Sequence, residues 1–426
     1  MNTILIVAYR FPPYAGVGGH RWAKLSKYLA RLGHDVHVLT VDWSHRADAA
    51  REASSLVAGV SVHHLRPPAL FGLRYPAGPM TVPRRFARLA VRRLIDPLVF
   101  WDDETQWWGP RLNAAIEDVA RRFQPSIVIA TGHPFQVIRH VATFKRRHPE
   151  VGFIADLRDP WFQHRESAMG HRRTAKVRQW ATESLAEADA VVCVTEGLAR
   201  EFRRLVNHQS VVVIPNGVDL DDVPPYDDEC RWDLVHAGNV TNRRIVPAQQ
   251  LLDALVRVAP DSRVLFVGAG LERLERYKAD LPNLELRDIV PRREALAEVA
   301  ASRFGLHLNA PQVPYLVSTK IYEYPAIGVP VLSVNYGGDS EDLVNSSGWG
   351  VSINLETDSV DAALCGALQQ ERVQLPLAGD CTHEGRALAY SSLIGTFKNG
   401  AERVSRLRPA RKASKCGQDS VLLDRG

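Results

Sequence analysis

Short apolar runs alternate with helix-like patterns over most of the chain. In the first half, the apolar runs fall at residues 4–8, 36–41, 126–130, 151–155, 190–195 and 211–214. Most are continuous Val, Ile and Leu, which is typical of parallel strands that helices cover on both faces. The segment between the first two runs has helical spacing and closes at Gly33. The pattern predicts a doubly wound α/β domain.

The alternation breaks at residues 219–229 and then resumes. The break is acidic, contains two prolines and lacks apolar periodicity, so it predicts an inter-domain linker. Further apolar runs follow at 234–237, 264–267, 284–286, 304–308 and 329–334. We therefore predict an N-terminal domain over 1–218 and a C-terminal domain over 230–385. Residues 401–426 hold seven Lys and Arg without a core pattern, which predicts a disordered basic tail.

Composition narrows the class of protein. Of 426 residues, 45% are hydrophobic and 24% are charged, which excludes a disordered chain, a collagen-like fibre and a disulfide miniprotein. The net charge of +5 suits an anionic ligand or an anionic membrane face and does not predict nucleic-acid binding. The five cysteines lack metal-ligand spacing, and the N-terminus lacks a signal-peptide pattern. These features predict a cytoplasmic protein that could lie at the inner face of the cell membrane.

A glycine-rich loop follows the first predicted strand. Gly16, Gly18 and Gly19 precede or open the first predicted helix, where backbone amides attract anions and glycine lets a phosphate or sugar approach closely. They are also compatible with a plain surface loop. Gly16 and Gly18 match part of a dinucleotide fingerprint, but Arg21 occupies the place of its third glycine. The loop is a candidate donor or acceptor site, and an NAD(P)-dependent oxidoreductase stays open as an alternative.

Two turns in the second half combine glycine with a position after a strand. Gly238 is followed by Arg243 and Arg244, which are placed for a diphosphate at the carboxyl end of a parallel sheet. Gly268 and Gly270 form the other turn from strand into helix, and Gly270 could equally be a plain cap. The arginines predict an anion site beside the first turn.

A third stretch, residues 317–332, predicts a helix between an N-cap and a buried strand. Ser318 and Thr319 are good N-cap residues, and Lys320 adds positive charge at a helix N-terminus that can take a phosphate. Glu323 lies one turn further on and could accept two hydrogen bonds from a ribose diol. The alternative for Glu323 is an exposed helical carboxylate.

The stretch 318–332 resembles the nucleotide-binding segment of retaining GT-B glycosyltransferases, the group typified by family GT4. Residues 11–19, 155–161, 194–197 and 214–219 resemble other segments of that family, in the same order along nearly the whole chain. The resemblance implies an α/β protein of the GT-B fold: two facing Rossmann-like domains with the active site in the inter-domain cleft. The N-terminal domain would bind the acceptor and the C-terminal domain a nucleotide-diphosphate sugar. A helix at 386–400 would cross back to the first domain.

The resemblance also assigns roles by position. In the C-terminal domain, the donor diphosphate would be bound by Arg243, Arg244, Ser318, Thr319 and Lys320, and the donor ribose by Glu323. In the N-terminal domain, His133 would face the reacting sugar, unless it is a loop histidine without a role. Asp156 or Asp159 would orient the acceptor. One position departs from the family pattern, because Tyr315 stands eight residues before Glu323 where an acid would contact the transferred sugar.

The implied reaction is sugar transfer with retention (EC 2.4), from a nucleotide-diphosphate sugar to a saccharide or lipid-linked acceptor, in cell-surface polysaccharide or glycolipid biosynthesis. We predict neither a cofactor nor a metal, since the Asp-Leu-Asp string at 219–221 falls in the predicted linker. Because Tyr315 replaces an acid, a non-catalytic nucleotide-sugar-binding protein stays open as an alternative.

Residues 83–100 carry a basic amphipathic pattern. On a helical wheel, arginines 84, 85, 88 and 92 share one side, opposite Phe86, Leu89, Ala90 and Leu94. Trp101, Trp107 and Trp108 follow. The pattern predicts either peripheral contact with an anionic membrane or a solvated helix packed on its own domain.

Overall fold

The protein consists of two parallel α/β sheets, each covered by helices on both faces. The computed structural model describes residues 1–14, 17–44, 59–67, 73, 80–95, 102–103, 105, 108–161, 170–206, 210–240, 242–376 and 381–407. The prediction of two Rossmann-like domains is confirmed by the two sheets. Gly16, Trp101, Trp107 and residues 408–426, on which some sequence predictions fall, lie outside the described residues.

The N-terminal sheet has seven strands in the order β3-β2-β1-β4-β5-β6-β7. Its strands are β1 (Thr3–Val7), β2 (Asp35–Val41), β3 (Val60–Leu65), β4 (Ile127–Gly132), β5 (Gly152–Leu157), β6 (Ala190–Cys193) and β7 (Val211–Val213). Its helices are α1 (Val17–Arg31), α2 (Val82–Ala90), α3 (Gly109–Phe123), α4 (Gln136–Arg147), α5 (His171–Ala186) and α6 (Glu196–Leu205), and α2 continues as a π-helical turn, Val91–Ile95.

The C-terminal sheet has six strands in the order β10-β9-β8-β11-β12-β13. Its strands are β8 (Trp232–Ala237), β9 (Val264–Val267), β10 (Leu284–Arg287), β11 (Ser302–Leu308), β12 (Val331–Asn335) and β13 (Gly350–Asn354). Its helices are α7 (Ile245–Val258), α8 (Arg292–Ala300), α9 (Lys320–Ile327), α10 (Asp339–Ser347) and α11 (Val360–Gln369), with a 3-10 helix at Glu272–Ala279. A last helix, α12 (His383–Leu407), ends the described chain.

The continuous apolar runs are explained by burial on both faces of each strand. In β1, Leu5 and Val7 belong to one apolar core, whereas Ile4 and Ile6 belong to the core on the opposite face, and all four are fully buried. Because successive side chains of a strand point to opposite faces, both faces must be apolar when helices cover both. The second sheet repeats this arrangement with its own two cores.

The strand orders place a crevice on each domain. In both sheets the order reverses beside the first strand, between β1 and β4 in one and between β8 and β11 in the other. Parallel sheets bind ligands outside the carboxyl ends of the strands at such a switch point, because the connections there diverge to opposite faces. The carboxyl end of β11 leads to Asn309, which lines the cavity described below, and that of β8 leads through the Gly238 turn to the lining residues Arg243 and Arg244.

Helix α12 returns to the N-terminal domain and packs on α1. Its residues Ala387, Tyr390 and Ile394 are fully buried in the core beneath β1. The helix begins at His383 and continues to Leu407, whereas the sequence predicted a helix over 386–400 and a disordered tail from 401. The helical backbone therefore extends beyond residue 400, after which the sequence predicted the tail.

Asp156 is a buried carboxylate that connects several elements of the N-terminal domain through hydrogen bonds. Its fully buried carboxylate accepts hydrogen bonds from Trp22 Nε1 at 2.7 Å, Thr131 Oγ1 at 3.0 Å and Tyr390 OH at 2.6 Å. The Arg21 guanidinium lies 3.5 Å from the same carboxylate. A buried carboxylate is tolerated only with such partners, and here they join α1, β4, β5 and α12 at one point.

We expect Asp156→Ala to destabilise the protein by about 3–5 kcal/mol, because it leaves the buried Arg21 cation without its counter-ion and removes the acceptor for Trp22 and Tyr390. Urea denaturation followed by tryptophan fluorescence measures this. Asp118→Ala is the matched control, because Asp118 pairs with exposed arginines and such pairs contribute about 0–1 kcal/mol. Equal losses for both variants would contradict the assignment.

Candidate active site in the inter-domain cleft

A cavity of about 840 Å³ lies between the two domains and the linker. Its lining side chains that can carry charge are His20, Arg21, Lys24, Arg158, Asp159, Asp219, Asp222, Arg243, Arg244, Arg292, His307, Lys320, Glu323 and His383. Helix α1 and the end of β5 contribute from the N-terminal side, while the loop before α9 and the turn after β8 contribute from the C-terminal side. The cavity is therefore rich in cations at the switch point of the second sheet.

Three of these cations stand out because they have no ion-pair partner among the described residues. Arg21, Lys24 and Arg292 are each paired with a carboxylate. By contrast, Arg243, Arg244 and Lys320 make none of the ion pairs that the described part of the chain contains. Cations gathered in one cavity without counter-ions repel one another, so an anion bound there would be stabilised.

Lys320 is held above a glycine turn. A side chain at Gly238, whose φ is 148°, would place its Cβ 2.7 Å from Lys320 Nζ, so only glycine leaves room for the ammonium group. A Cβ at Gly268 would come within 2.4 Å of the Gly238 carbonyl oxygen, and one at Gly270 within 2.4 Å of the Val240 oxygen. The three predicted glycines thus allow the turns after β8 and β9 to stack closely beneath the cations.

The surroundings of Lys320 lower its pKa and so make its charged form less favourable. Burial, followed by the nearby Arg244 guanidinium, lowers the pKa of Lys320 from 10.5 to about 8, although Glu323 opposes the shift. Burial also lowers the pKa of Arg244. An anion placed between these groups would reverse the shift of Lys320, because it favours the ammonium form.

Two buried histidines lie below Lys320 without adding charge. His236 in β8 donates from Nδ1 to the Leu306 carbonyl oxygen at 2.9 Å, and His307 in β11 is bonded to Ser333 Oγ at 3.0 Å. Burial, with Lys320 as the next cause, lowers the pKa of His236 to about 3 and that of His307 well below its usual value. Both rings are therefore neutral at physiological pH.

Helix α9 presents its N-terminus to the cavity. Thr319 is the N-cap residue, the Lys320 amide donates to Ser318 Oγ at 3.4 Å, and all three residues line the cavity. Unpaired amides at a helix N-terminus favour negative charge. Glu323, one turn along, lines the cavity as well and accepts from Arg292 Nη2 at 3.0 Å through Oε1.

Of the three candidate residues Asp156, Asp159 and His133 in the N-terminal domain, one lines the cavity. Asp159 lines the cavity, but Asp156 does not, because its carboxylate is enclosed by the partners described above. The predicted role of Asp156 in orienting the acceptor is therefore wrong. His133, at the end of β4, stacks on Phe135 with ring centroids 5.4 Å apart and is not among the residues that line the cavity.

The first glycine loop contributes through the helix that it opens. Gly18 and Gly19 lie in the first turn of α1, and His20, Arg21 and Lys24 further along the helix line the cavity. Sequence reasoning missed Arg158 and Arg292 as cavity residues. Both could have been found, since Arg158 stands inside the Asp-Leu-Arg-Asp-Pro-Trp segment and Arg292 follows a strand end as Arg243 does.

Asp219 and the linker close one end of the cavity. The Asp219 carboxylate accepts from Tyr28 OH at 2.8 Å and from Lys27 Nζ at 2.8 Å, and it lies 3.1 Å from Lys24. These partners hold the pKa of Asp219 well below its usual value despite burial. Among the described residues, no group of three His, Cys, Asp or Glu side chains is arranged to hold a metal ion.

Comparison with known proteins agrees with this architecture. Residues 18–222 match the sequence profile of Glycosyltransferase Family 4. The N-terminal domain of the chain therefore belongs to glycosyltransferase family 4. The predicted recognition is confirmed, and the protein is a glycosyltransferase of the EC 2.4 class, which sets the oxidoreductase alternative aside. No curated protein matches the chain in sequence.

Solved structures show that the fold is GT-B over nearly the whole chain. Anabaena HepE in complex with UDP superposes with a TM-score of 0.59 at 15% identity, over 95% of this chain and 100% of that one. The lipopolysaccharide outer core galactosyltransferase WaaB gives 0.53 at 11% identity, over 95% and 100% of the two chains. The Candida albicans trehalose-6-phosphate phosphatase N-terminal domain gives 0.63 at 13%, over 93% and 97%.

The pKa of Lys320 predicts the pH dependence of nucleoside diphosphate binding. Since an anion favours the ammonium form, we expect the affinity to be highest well below pH 8 and to fall as the pH rises through the pKa of the free protein. We expect the Kd for UDP to rise about tenfold between about pH 7 and pH 9, because one protonated group is required. Calorimetric titration measures this.

Lys320→Arg is the matched variant for that measurement. Its guanidinium remains charged over the whole range, so the Kd should change little with pH. A wild-type Kd that is constant from about pH 7 to pH 9 would show that Lys320 does not contact the anion.

Proposed function

We propose that this glycosyltransferase transfers a sugar from a nucleotide-diphosphate sugar to a saccharide or lipid-linked acceptor, with retention of the anomeric configuration. The observation that carries the proposal is the group of three cations, Arg243, Arg244 and Lys320, which form no ion pair within the described part of the chain and line the cavity together with the N-terminus of α9. HepE, which shares the fold, has been crystallised with UDP and with UDP-glucose. A donor of this class would bring two phosphates to the cavity.

The donor would lie along the C-terminal wall. Arg243, Arg244 and Lys320, together with the amides that follow Ser318 and Thr319, would bind the diphosphate. Glu323 would accept hydrogen bonds from the ribose diol through Oε2, since only Oε1 is bonded to Arg292. Fixed positive groups of this kind stabilise the charge that develops on a leaving diphosphate.

The acceptor would enter from the N-terminal wall, where Asp159 and Arg158 line the cavity. Asp159 would hold the acceptor hydroxyl. In the reaction, the bond between the sugar C1 and the diphosphate oxygen breaks while a bond from C1 to the acceptor oxygen forms on the same face. The acceptor proton passes to the departing diphosphate oxygen, so the products are the glycosylated acceptor and a nucleoside diphosphate.

The cation cluster is tested by a thermal-shift panel of UDP, GDP, ADP and dTDP sugars, followed by transfer assays. A ligand that binds only the folded protein stabilises it, by about 2.7 kcal/mol at 100 times its Kd. We expect Lys320→Ala and Arg244→Ala each to lower kcat/KM by about 100- to 1000-fold, as the loss of an oxyanion donor does. Arg257→Ala is the control, because Arg257 is an exposed residue paired with Asp361. Unchanged turnover in both cavity variants would refute the proposed donor site.

A second part of the proposal concerns contact with an anionic membrane through α2 and the turn that follows it. None of the residues of α2 is buried. Val82, Phe86 and Leu89 are 62%, 67% and 44% exposed, although a soluble helix usually packs such side chains inward. Val91, in the next turn, is buried.

The charge of this helix favours an anionic lipid surface. Residues 82–95 contain five arginines and no acidic residue. Apolar side chains that enter the headgroup region beside arginines that contact anionic lipids are typical of interfacial helices. Among the helices that the structure describes, none combines the length and apolar character needed to cross a membrane. Trp108, also considered for this contact, is instead fully buried against Tyr9, and its predicted membrane role is wrong.

Vesicle flotation with and without phosphatidylglycerol tests the membrane contact. We expect binding that needs the anionic lipid and weakens with salt. The double variant Phe86→Ser with Leu89→Ser should lower the bound fraction by more than about tenfold, since each buried side chain contributes roughly 1.5–3 kcal/mol. Val373→Ser is the control, because Val373 is a similarly exposed apolar residue of the C-terminal domain. Equal flotation of all variants would contradict the proposal.

A further inference from the structure

The two domains also meet at a contact formed by α6, α10 and the loop before α9. The Gly197 amide in the first turn of α6 donates to Asp339 Oδ2 at 2.7 Å. Thr195, the N-cap residue of α6, donates from Oγ1 to the Tyr315 carbonyl oxygen at 2.7 Å. The Arg200 guanidinium lies 3.7 Å from Asp339. This contact joins the N-terminal domain to the C-terminal domain without using the linker.

The contact provides an acceptor for a backbone amide at the N-terminus of α6 that has none within its own helix. The first amides of a helix have no acceptor inside it, and Thr195 Oγ1 satisfies that of Leu198 at 3.2 Å. The amide of Gly197 finds its acceptor only in Asp339, on the other domain. A carboxylate at this position is also favoured by the helix dipole.

The fit at Gly197 depends on the missing side chain. A Cβ at Gly197 would lie 2.5 Å from Tyr315 Cβ and 2.7 Å from Asp339 Oδ2, and both neighbours belong to the C-terminal domain. Its φ is not in the left-handed region, so alanine is compatible with the helix itself and raises its propensity. Glycine is therefore required at position 197 because a side chain would collide with the C-terminal domain. The fold of the N-terminal domain does not itself require it.

The contact is continuous with the donor side of the cavity. The Asp339 amide donates to the Pro314 carbonyl oxygen at 3.1 Å, and Ser340 Oγ donates to that of Leu316 at 2.9 Å. The loop held in this way continues as residues 316–320, all of which line the cavity. Its Tyr315 side chain packs on the core of the N-terminal domain and is not a cavity residue.

We infer that Asp339 and Tyr315 are positioning residues that latch the donor-binding loop to α6 and hold the cleft closed around the donor. The inference rests on the proposed function, because the loop leads directly to Lys320. Tyr315 replaces a sugar-contacting acid with an inter-domain anchor. The contact with α6 thereby couples the position of residues 316–320 to the approach of the two domains.

Gly197→Ala tests the latch directly. We expect kcat/KM for the donor to fall at least about tenfold, the change that 1.4 kcal/mol produces, while the Tm stays equal or rises because alanine favours the helix. Asp339→Ala should show the same loss, and Asp339→Asn should recover part of it through its amide oxygen. Asp342→Ala is the matched control, since Asp342 is an exposed acid in the same first turn of α10.

Amide hydrogen exchange provides a readout that does not need a donor. The Gly197 amide should be protected in the wild type and lose protection in Asp339→Ala, while Leu198, capped within its own domain, stays protected. Equal exchange of Gly197 in the two proteins, or wild-type kcat/KM in Gly197→Ala, would overturn the latch. If the wild type bound no sugar nucleotide, the donor site would fail while the exchange measurement still tested the contact.

Discussion

An unbalanced positive charge in the cleft is the constraint on which the rest of the site depends. Lys320 and Arg244 line the same cavity, and burial, followed by the proximity of Arg244, lowers the pKa of Lys320 to about 8. Two neighbouring cations with little solvent around them repel each other, so the surrounding structure must hold them in place. Here the stacked glycine turns after β8 and β9, together with the N-cap of α9, provide that support. The site is therefore organised for an anion before any anion arrives.

The same cleft is bounded by three inter-domain connections of different chemistry. At the linker, Asp219 is fixed by two lysines and a tyrosine of α1. Helix α12 crosses back and places Tyr390 against the buried Asp156 carboxylate. The third contact, between Gly197 and Asp339, has a small, polar interface. Helix α12 is packed into the apolar core of the N-terminal domain, whereas the third contact is made by hydrogen bonds that an opening of the cleft would break. A cleft that must admit substrates needs at least one connection of this kind.

The sequence predicted the fold well because the fold depends on local patterns. Continuous apolar runs predict parallel strands, and glycine followed by arginine after a strand predicts an anion site, so β8, β11 and the group around Lys320 could be found without coordinates. Asp156 was misassigned for a physical reason. A carboxylate at the end of a parallel strand is equally suited to substrate and to a buried network. Its deciding partners, Trp22 and Tyr390, lie 134 and 234 residues away, so no spacing rule connects them.

Tyr315 shows how a departure from a family pattern can carry structural meaning. An acid at this position would add negative charge beside a cavity that is rich in cations. A tyrosine is large enough to fill the contact with α6 and has no charge to neutralise them, since burial raises its pKa to about 12. Losing the acid thus leaves the positive charge of the cavity available to the donor and gives the loop an anchor.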